Sequence, residues 1–178
     1  MLNWLRSFFE GSEGDANTTR TATVHNLQVG DIVVYLDDTY IVQQKIVNHD
    51  NGFFWYDYLL GGGEAKNLWL SVEDDDELIL ALFEPAKLPS PLSPESKAPQ
   101  EMTFEGLHYR LDETGKADAK ITRESGTETR TTVTRWDYTG PDGLLLSFQR
   151  WGDEPFEVML GRRISEGSLD IMTNPSIS

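Results

Sequence analysis

Five aromatic residues, Phe53, Phe54, Trp55, Tyr56 and Tyr58, fall within six consecutive positions of a run opened by Gly52 and closed by Gly61. Such a run reads as a buried central strand. Alternation of side chains puts Phe53, Trp55, Asp57 and Leu59 on one face and Phe54, Tyr56, Tyr58 and Leu60 on the other. Both faces are largely apolar, so the chain must cover this strand on two sides. Arg135-Trp136-Asp137-Tyr138-Thr139-Gly140 echoes Tyr56-Asp57-Tyr58, and each copy is followed by a leucine-rich run. The rest of the chain is organised around that pair.

Strand signals rich in β-branched and aromatic residues recur at 32–36, 39–48, 52–60, 67–73 and 77–83, and again at 103–111, 116–123, 127–138, 144–151, 157–162 and 168–172. Turn residues separate them: Asp37-Asp38 as a tight hairpin, Asp50-Asn51-Gly52, Gly61-Gly62-Gly63, Asp112 to Gly115, Ser125-Gly126 and Gly140 to Gly143. Short links favour antiparallel meanders. Leu36-Asp37-Asp38-Thr39 aligns with Leu111-Asp112-Glu113-Thr114, Asp57-Tyr58 with Asp137-Tyr138, and Leu70-Ser71-Val72 with Leu146-Ser147-Phe148. Three matches in one order indicate an internal repeat. The expected fold is all-β, with two tandem antiparallel meander repeats that are sandwich- or barrel-like, packed face to face or sharing one curved sheet. The repeats would occupy 27–84 and 102–178, joined by a proline-rich linker over 85–101.

Residues 1–10 place Met1, Leu2, Leu5, Phe8 and Phe9 on one side of a helix, flanked by Trp4. This short amphipathic helix suits a partner's groove or a membrane interface, or else caps the protein's own core. Residues 11–26, rich in Gly, Ser, Asp, Asn and Thr, read as a flexible tether.

Composition narrows the function. There is no cysteine, which excludes disulfides, thiolate metal sites and cysteine nucleophiles. The net charge of −15 is concentrated in 27–84, where two basic residues face twelve acidic ones; residues 102–178 hold nine and thirteen. No basic stripe offsets it, so nucleic acid is not an expected partner, and anionic lipid is approached only peripherally or through a protein. No apolar run nears the roughly 20 residues of a membrane span. The start lacks a basic region followed by a sustained apolar one, so the expected location is cytoplasmic.

Gly30-Asp31, the aromatic-Asp-Tyr motif in both halves, the leucine-serine strand ending at Trp151, and Gly161 together resemble the bacterial family catalogued as domain of unknown function 4178. The resemblance runs from about residue 27 onward. That family has no assigned reaction, so the resemblance implies no catalytic residue. It does imply a cytoplasmic protein often encoded beside membrane-associated stress proteins.

Candidate sites are few. His25, His49 and His108 are too scattered for a shared metal, although His49 and His108 could meet in the fold. Glu73-Asp74-Asp75-Asp76-Glu77 lacks the alternating spacing of a calcium loop and reads as a solvated hairpin tip. Gly61-Gly62-Gly63 lacks the helix and lysine of a phosphate loop. Asp57 and Asp137 stand out, since each lies between aromatic neighbours on a buried strand, where desolvation raises a carboxyl pKa unless a partner such as Arg135 or Lys45 opposes it. The simpler reading is a carboxylate accepting local hydrogen bonds. Trp55, Trp69, Trp136 and Trp151 read as core, or else as a stacking platform for a ligand.

The expected function is a non-enzymatic binding or adaptor module with a protein partner held through Leu2, Trp4, Leu5, Phe8 and Phe9. No cofactor and no metal are expected. The alternatives are a barrel-like carrier of a small apolar ligand, or a small enzyme using Asp57 or Asp137 as general acid or base.

Overall fold

A computed structural model describes residues 20–62, 66–88 and 96–174. The candidate helix with Leu2, Trp4, Leu5, Phe8 and Phe9 lies outside the described residues. The strands, in chain order, are β1 (Ile32–Tyr35), β2 (Asp38–Asp50), β3 (Phe53–Gly61), β4 (Leu68–Asp74), β5 (Leu78–Ala86), β6 (Glu101–Phe104), β7 (Leu107–Arg123), β8 (Glu128–Thr139), β9 (Leu144–Trp151), β10 (Glu157–Ile164) and β11 (Leu169–Met172). Two single 3₁₀ turns, Pro141–Gly143 and Glu166–Ser168, are the helical content among the described residues. The fold is all-β, and every strand belongs to one antiparallel sheet.

That sheet curves into a ring. Its order is β11-β1-β2-β3-β4-β5-β10-β9-β8-β7-β6, and an added β2–β7 pairing joins its two limbs. The length of β2 makes closure possible: its first residues, Asp38 to Ile41, pair with β1, while Gln44 to His49 pair with β7 along the same edge. The closed circuit is therefore β2-β3-β4-β5-β10-β9-β8-β7, eight strands with no free edge between them.

Two bulges set which side chains face inward. The β2–β3 register shifts between Val42 and Gln44, so Val42 sits opposite Leu60 while Gln44 sits opposite Leu59. A like shift between Leu111 and Glu113 puts Leu111 opposite Tyr138 and Glu113 opposite Asp137. Each extra residue turns its strand over, so one strand serves an outer core at one end and the ring interior at the other.

Three apolar clusters result. Tyr58, Leu60, Leu70, Val72, Leu80 and Val42 meet Val24, Leu27, Val33 and Leu169 on one outer flank. Trp136, Tyr138, Leu146, Phe148 and Val158 meet Phe104, Tyr109 and Phe156 on the other. Inside the ring, Ile46, Trp55, Ala117, Ala119, Ile121 and Val133 form the third, with Phe53, Trp69 and Trp151 against it. The aromatic strand is thus covered on both faces, as its composition requires: Tyr58 and Leu60 outward, Trp55 inward.

Several local expectations change. Leu36 and Asp37 carry the positive φ values of the first hairpin (49° and 69°), placing the turn one residue earlier than Asp37-Asp38. Leu111 to Thr114 lies within the continuous strand β7 and is no turn, so it does not match the Leu36 hairpin; there the bulge bends a strand that was read as two. Glu105-Gly106, which turns β6 into β7, is also at positive φ. Pro85 and Ala86 sit in β5 opposite Met159 and Val158, a position the ladder tolerates, and Leu88 and Ala98 pack on the second outer core. Part of the expected linker is therefore in the sheet.

Residues 20–26, read as tether, also pack. Val24 is buried in the first core. Arg20 Nη2 donates to both carboxylate oxygens of Asp31 at 2.5 and 2.7 Å, and the Gln28 amide donates to Asp31 at 2.8 Å. Gly30, at φ 94°, turns the chain so that its N–H reaches the Val42 carbonyl at 2.7 Å. The Gly30-Asp31 motif is a clip holding this segment over β2.

Candidate functional site

The ring encloses a cavity of about 430 Å³. This lies within the range of roughly 300–1,000 Å³ typical of small-molecule sites, and an eight-stranded ring is just wide enough to hold one small ligand. Its walls mix chemistries: Trp69, Phe83, Trp151, Ile79, Ile121 and Met159 are apolar, while Asp57, Ser71, Glu73, Arg135, Asp137 and Ser147 are polar.

Strand parity explains the mixture. On β4, Leu68, Leu70 and Val72 face the outer core, which leaves Trp69, Ser71 and Glu73 on the cavity side. On β9, Leu146 and Phe148 serve the outer core while Ser147, Gln149 and Trp151 line the cavity. Gly161 faces Phe83 across β10 and β5, and a Cβ there would meet the Phe83 ring and stand 2.8 Å from the Leu82 carbonyl oxygen. The glycine of the sequence motif is therefore a seat for an aromatic wall residue.

The polar groups form one connected set. Asp57 stands opposite Ser71, and Asp137 stands opposite Ser147. Ser71 hydrogen-bonds Asp57, and the Asn48 amide donates to the same carboxylate at 2.7 Å. The Ser147 hydroxyl donates to Asp137 at 2.6 Å. Arg135 lies 3.6 Å from Asp137 and 3.7 Å from Glu73, with its guanidinium 4.1 Å from the centre of the Trp55 ring. Both expected carboxylates thus reach one cavity, where each accepts a local hydroxyl.

One guanidinium serves three carboxylates. Burial pushes the Asp57 carboxyl above the usual carboxylate range and Asp137 adds to the rise, against the pull of Arg135 and the hydrogen bonds from Ser71 and Asn48. Burial raises Glu73 too, opposed by Arg135 and reinforced by Asp137, Asp57 and Glu113. Asp57 retains some open surface, but that surface faces the cavity and the ring surrounds it.

Arg135, Glu73 and Glu113 also line a second cavity of about 170 Å³, beside Phe53, Trp55 and Lys116. The Arg135 side chain, stacked on Trp55, stands between the two spaces.

Lys45, the other basic residue considered for these carboxylates, points to the opposite face. Its Nζ donates to the Leu27 carbonyl at 2.9 Å and lies 5.3 and 5.7 Å from the Tyr56 and Tyr58 ring centres. Glu73 was grouped with the acidic hairpin tip. Asp74 to Glu77 are exposed there, but Glu73 belongs to the cavity face of β4. Period-two alternation counted from Trp69 and Ser71 would have separated it. Ser71 and Ser147 were marked by the matched Leu70-Ser71-Val72 and Leu146-Ser147-Phe148 runs, though not as site residues, and Asn48 carried no sequence signal of its own.

The histidines do not converge. His25 lies near Asp74 at 3.4 Å, His49 stacks on Phe54 and accepts from the Gly52 amide, and His108 lies near Glu101 at 3.7 Å. His49 pairs with Asp118 on β7 and His108 with Thr103 on β6, so the two are far apart on the sheet. No group of three or more metal-ligating side chains is present among the described residues. None of their helices is long and apolar enough to cross a membrane.

Fold and cavity together define a closed antiparallel β-ring with a mixed polar and apolar chamber. Within that class, the chain belongs to the family described as Domain of unknown function (DUF4178), whose model matches residues 28–166. The match takes in Gly30-Asp31, both Asp-Tyr motifs and Gly161. Uncharacterised proteins of Mycobacterium bovis and Mycobacterium tuberculosis are 27% identical over 158 residues, covering 84% of this chain and 73% of theirs. An uncharacterised protein of Aquifex aeolicus is 24% identical over 177 residues, covering 92% of each chain. No solved structure matches.

Proposed function

We propose that this protein is a small-molecule-binding module whose ring cavity takes one ligand with an apolar body and a polar end. The carrying observation is the cavity itself, about 430 Å³ with tryptophan and aliphatic walls on one part and, on another, the hydrogen-bonded Asp57–Ser71 and Asp137–Ser147 pairs with Arg135 close by. A neutral fluorescent probe, N-phenyl-1-naphthylamine, tests it. Its emission rises on binding with one-to-one stoichiometry, and Ala81→Leu, which fills the cavity beside Ser71, abolishes the rise while the protein stays folded. Absence of saturable binding, or equal binding by the filled variant, refutes the reading.

The binding role carries no catalytic step. Asp57 is engaged by the side chains of Asn48 and Ser71, and Asp137 by those of Ser147 and Arg135, contacts that the binding role uses as they stand. We further propose that residues 1–10 attach the module to a protein partner, as the pattern of Leu2, Trp4, Leu5, Phe8 and Phe9 suggests. Pull-down from the host with and without those residues tests this. The internal repeat is likewise proposed. It is supported by the paired bulges, by β2 pairing with β7 and β5 with β10, and by the matched Asp57–Ser71 and Asp137–Ser147 registers. Superposition of an experimental β2–β5 on β7–β10 is its test, and unrelated paths would end it.

A further inference from the structure

The charge inside the chamber selects among ligands. Among its less exposed lining residues, Asp57, Glu73 and Asp137 stand against the single cation Arg135, with 35% of the Glu73 and 30% of the Asp137 side-chain surface still open. That guanidinium is already committed: it lies 3.7 Å from Glu73 and 3.6 Å from Asp137, and its face rests on Trp55. Asp57 has neutral donors only, Asn48 and Ser71, as its hydrogen-bond partners. Towards the exposed rim, Arg123 and Arg163 are outnumbered by Asp112, Glu113 and Glu157. Both groups are left with an excess of negative charge.

In a partly buried cleft such an excess is screened less than on an open surface, so it acts on whatever enters. A ligand carboxylate would meet three carboxylates and an occupied arginine. An ammonium group would give Asp57 a cation in direct contact, beyond the longer-range pull of Arg135, while the indoles of Trp69 and Trp151 in the lining would attract a cation and cover an apolar body.

Resting on the reading of the cavity as a ligand site, we propose that its ligand is a small organic cation, an ammonium group on an apolar body, with the ammonium seated at Asp57. Orientation follows: the charged end enters the Asp57–Ser71 side of the floor, and the apolar body lies along Ile79, Phe83 and Met159.

Three probes sharing one ring system test the charge class: 1-naphthylmethylammonium, 1-naphthylmethanol and 1-naphthoate. Binding is read by displacement of N-phenyl-1-naphthylamine and by quenching of tryptophan emission. The ammonium binds at least about tenfold more tightly than the alcohol, the scale of a desolvated cation held by a carboxylate and aromatic faces, and the carboxylate binds more weakly than both. In Asp57→Asn the ammonium's advantage falls below threefold and the alcohol's affinity stays unchanged. Glu73→Gln, a second neutralisation farther from the seat, keeps most of the advantage and serves if the first variant does not fold. Equal or tighter binding of the alcohol or the carboxylate overturns the cation assignment and leaves the cavity reading standing. Failure of all three probes and of N-phenyl-1-naphthylamine overturns both.

Discussion

Replacement of Lys45 by methionine should remove a pH dependence of stability that the wild-type protein carries between neutral and alkaline pH. Burial pulls the Lys45 ammonium from its ordinary 10.5 down to about 8, with Arg20 and Lys120 adding to the fall and Asp31 opposing it. Between those values the unfolded chain holds a proton that the folded protein has released, so stability rises with pH across the window from about 8 to 10.5. The whole interval corresponds to about 3 kcal/mol. The Tyr56 and Tyr58 faces return roughly 1 kcal/mol by attracting the charged form, which leaves an expected gain of about 2 kcal/mol by pH 10. Urea unfolding of wild type and Lys45→Met at pH 7, 8, 9 and 10 measures it as the difference between the two proteins. Both proteins retain Tyr56 and Tyr58, whose hydroxyls burial raises, so the loss of stability as the unfolded chain's tyrosines begin to ionise is common to both and cancels in the difference. A difference flat to within about 0.5 kcal/mol, or one that moves against the wild type as pH rises, refutes the assignment of Lys45 as a desolvated cation.

Gly161→Ala should cost about 1–3 kcal/mol because the added methyl meets the Phe83 ring and the Leu82 carbonyl; Phe83→Leu in the same chain should recover part of the loss, as thermal melts of single and double variants would show. Tyr138→Phe should cost about 0.5–1.5 kcal/mol, since its hydroxyl donates to the Pro99 carbonyl at 3.1 Å. Tyr58→Phe should be neutral or slightly stabilising, because that buried hydroxyl has no hydrogen-bond partner among the described residues; denaturant midpoints that reverse this order would contradict the contacts. Deleting residues 1–10 should leave Tm within about 2 °C, less than the shift that 1 kcal/mol produces in a chain of this size, because that segment is proposed to serve a partner while the described residues of the ring, its cores and the Arg20–Asp31 clip contact one another directly. A fall of several degrees would mean that the segment belongs to the core.

Local chemistry made the strands legible. Alternation and turn residues placed β3, β8 and β9 within a residue or two, and an aromatic run apolar on both faces already demanded cover on two sides. Asp57 and Asp137 were visible as carboxylates among aromatics because polarity interrupting an apolar strand is a one-dimensional pattern. Closure of the ring was not visible. It depends on β2 sharing one edge between β1 and β7 and on β5 meeting β10, pairings between residues 69 to 84 positions apart that leave no periodic trace. The bulges at Val42/Gln44 and Leu111/Glu113 reverse strand parity, so alternation counted through them assigns the wrong face; at the second, the turn-type residues Asp112 to Gly115 also imitate a break between strands. The site depended on those same long-range choices. Only once the ring closes do Glu73 and Arg135 enter the space that holds Asp57 and Asp137, because they stand on strands from the two limbs that the β2–β7 and β5–β10 pairings join.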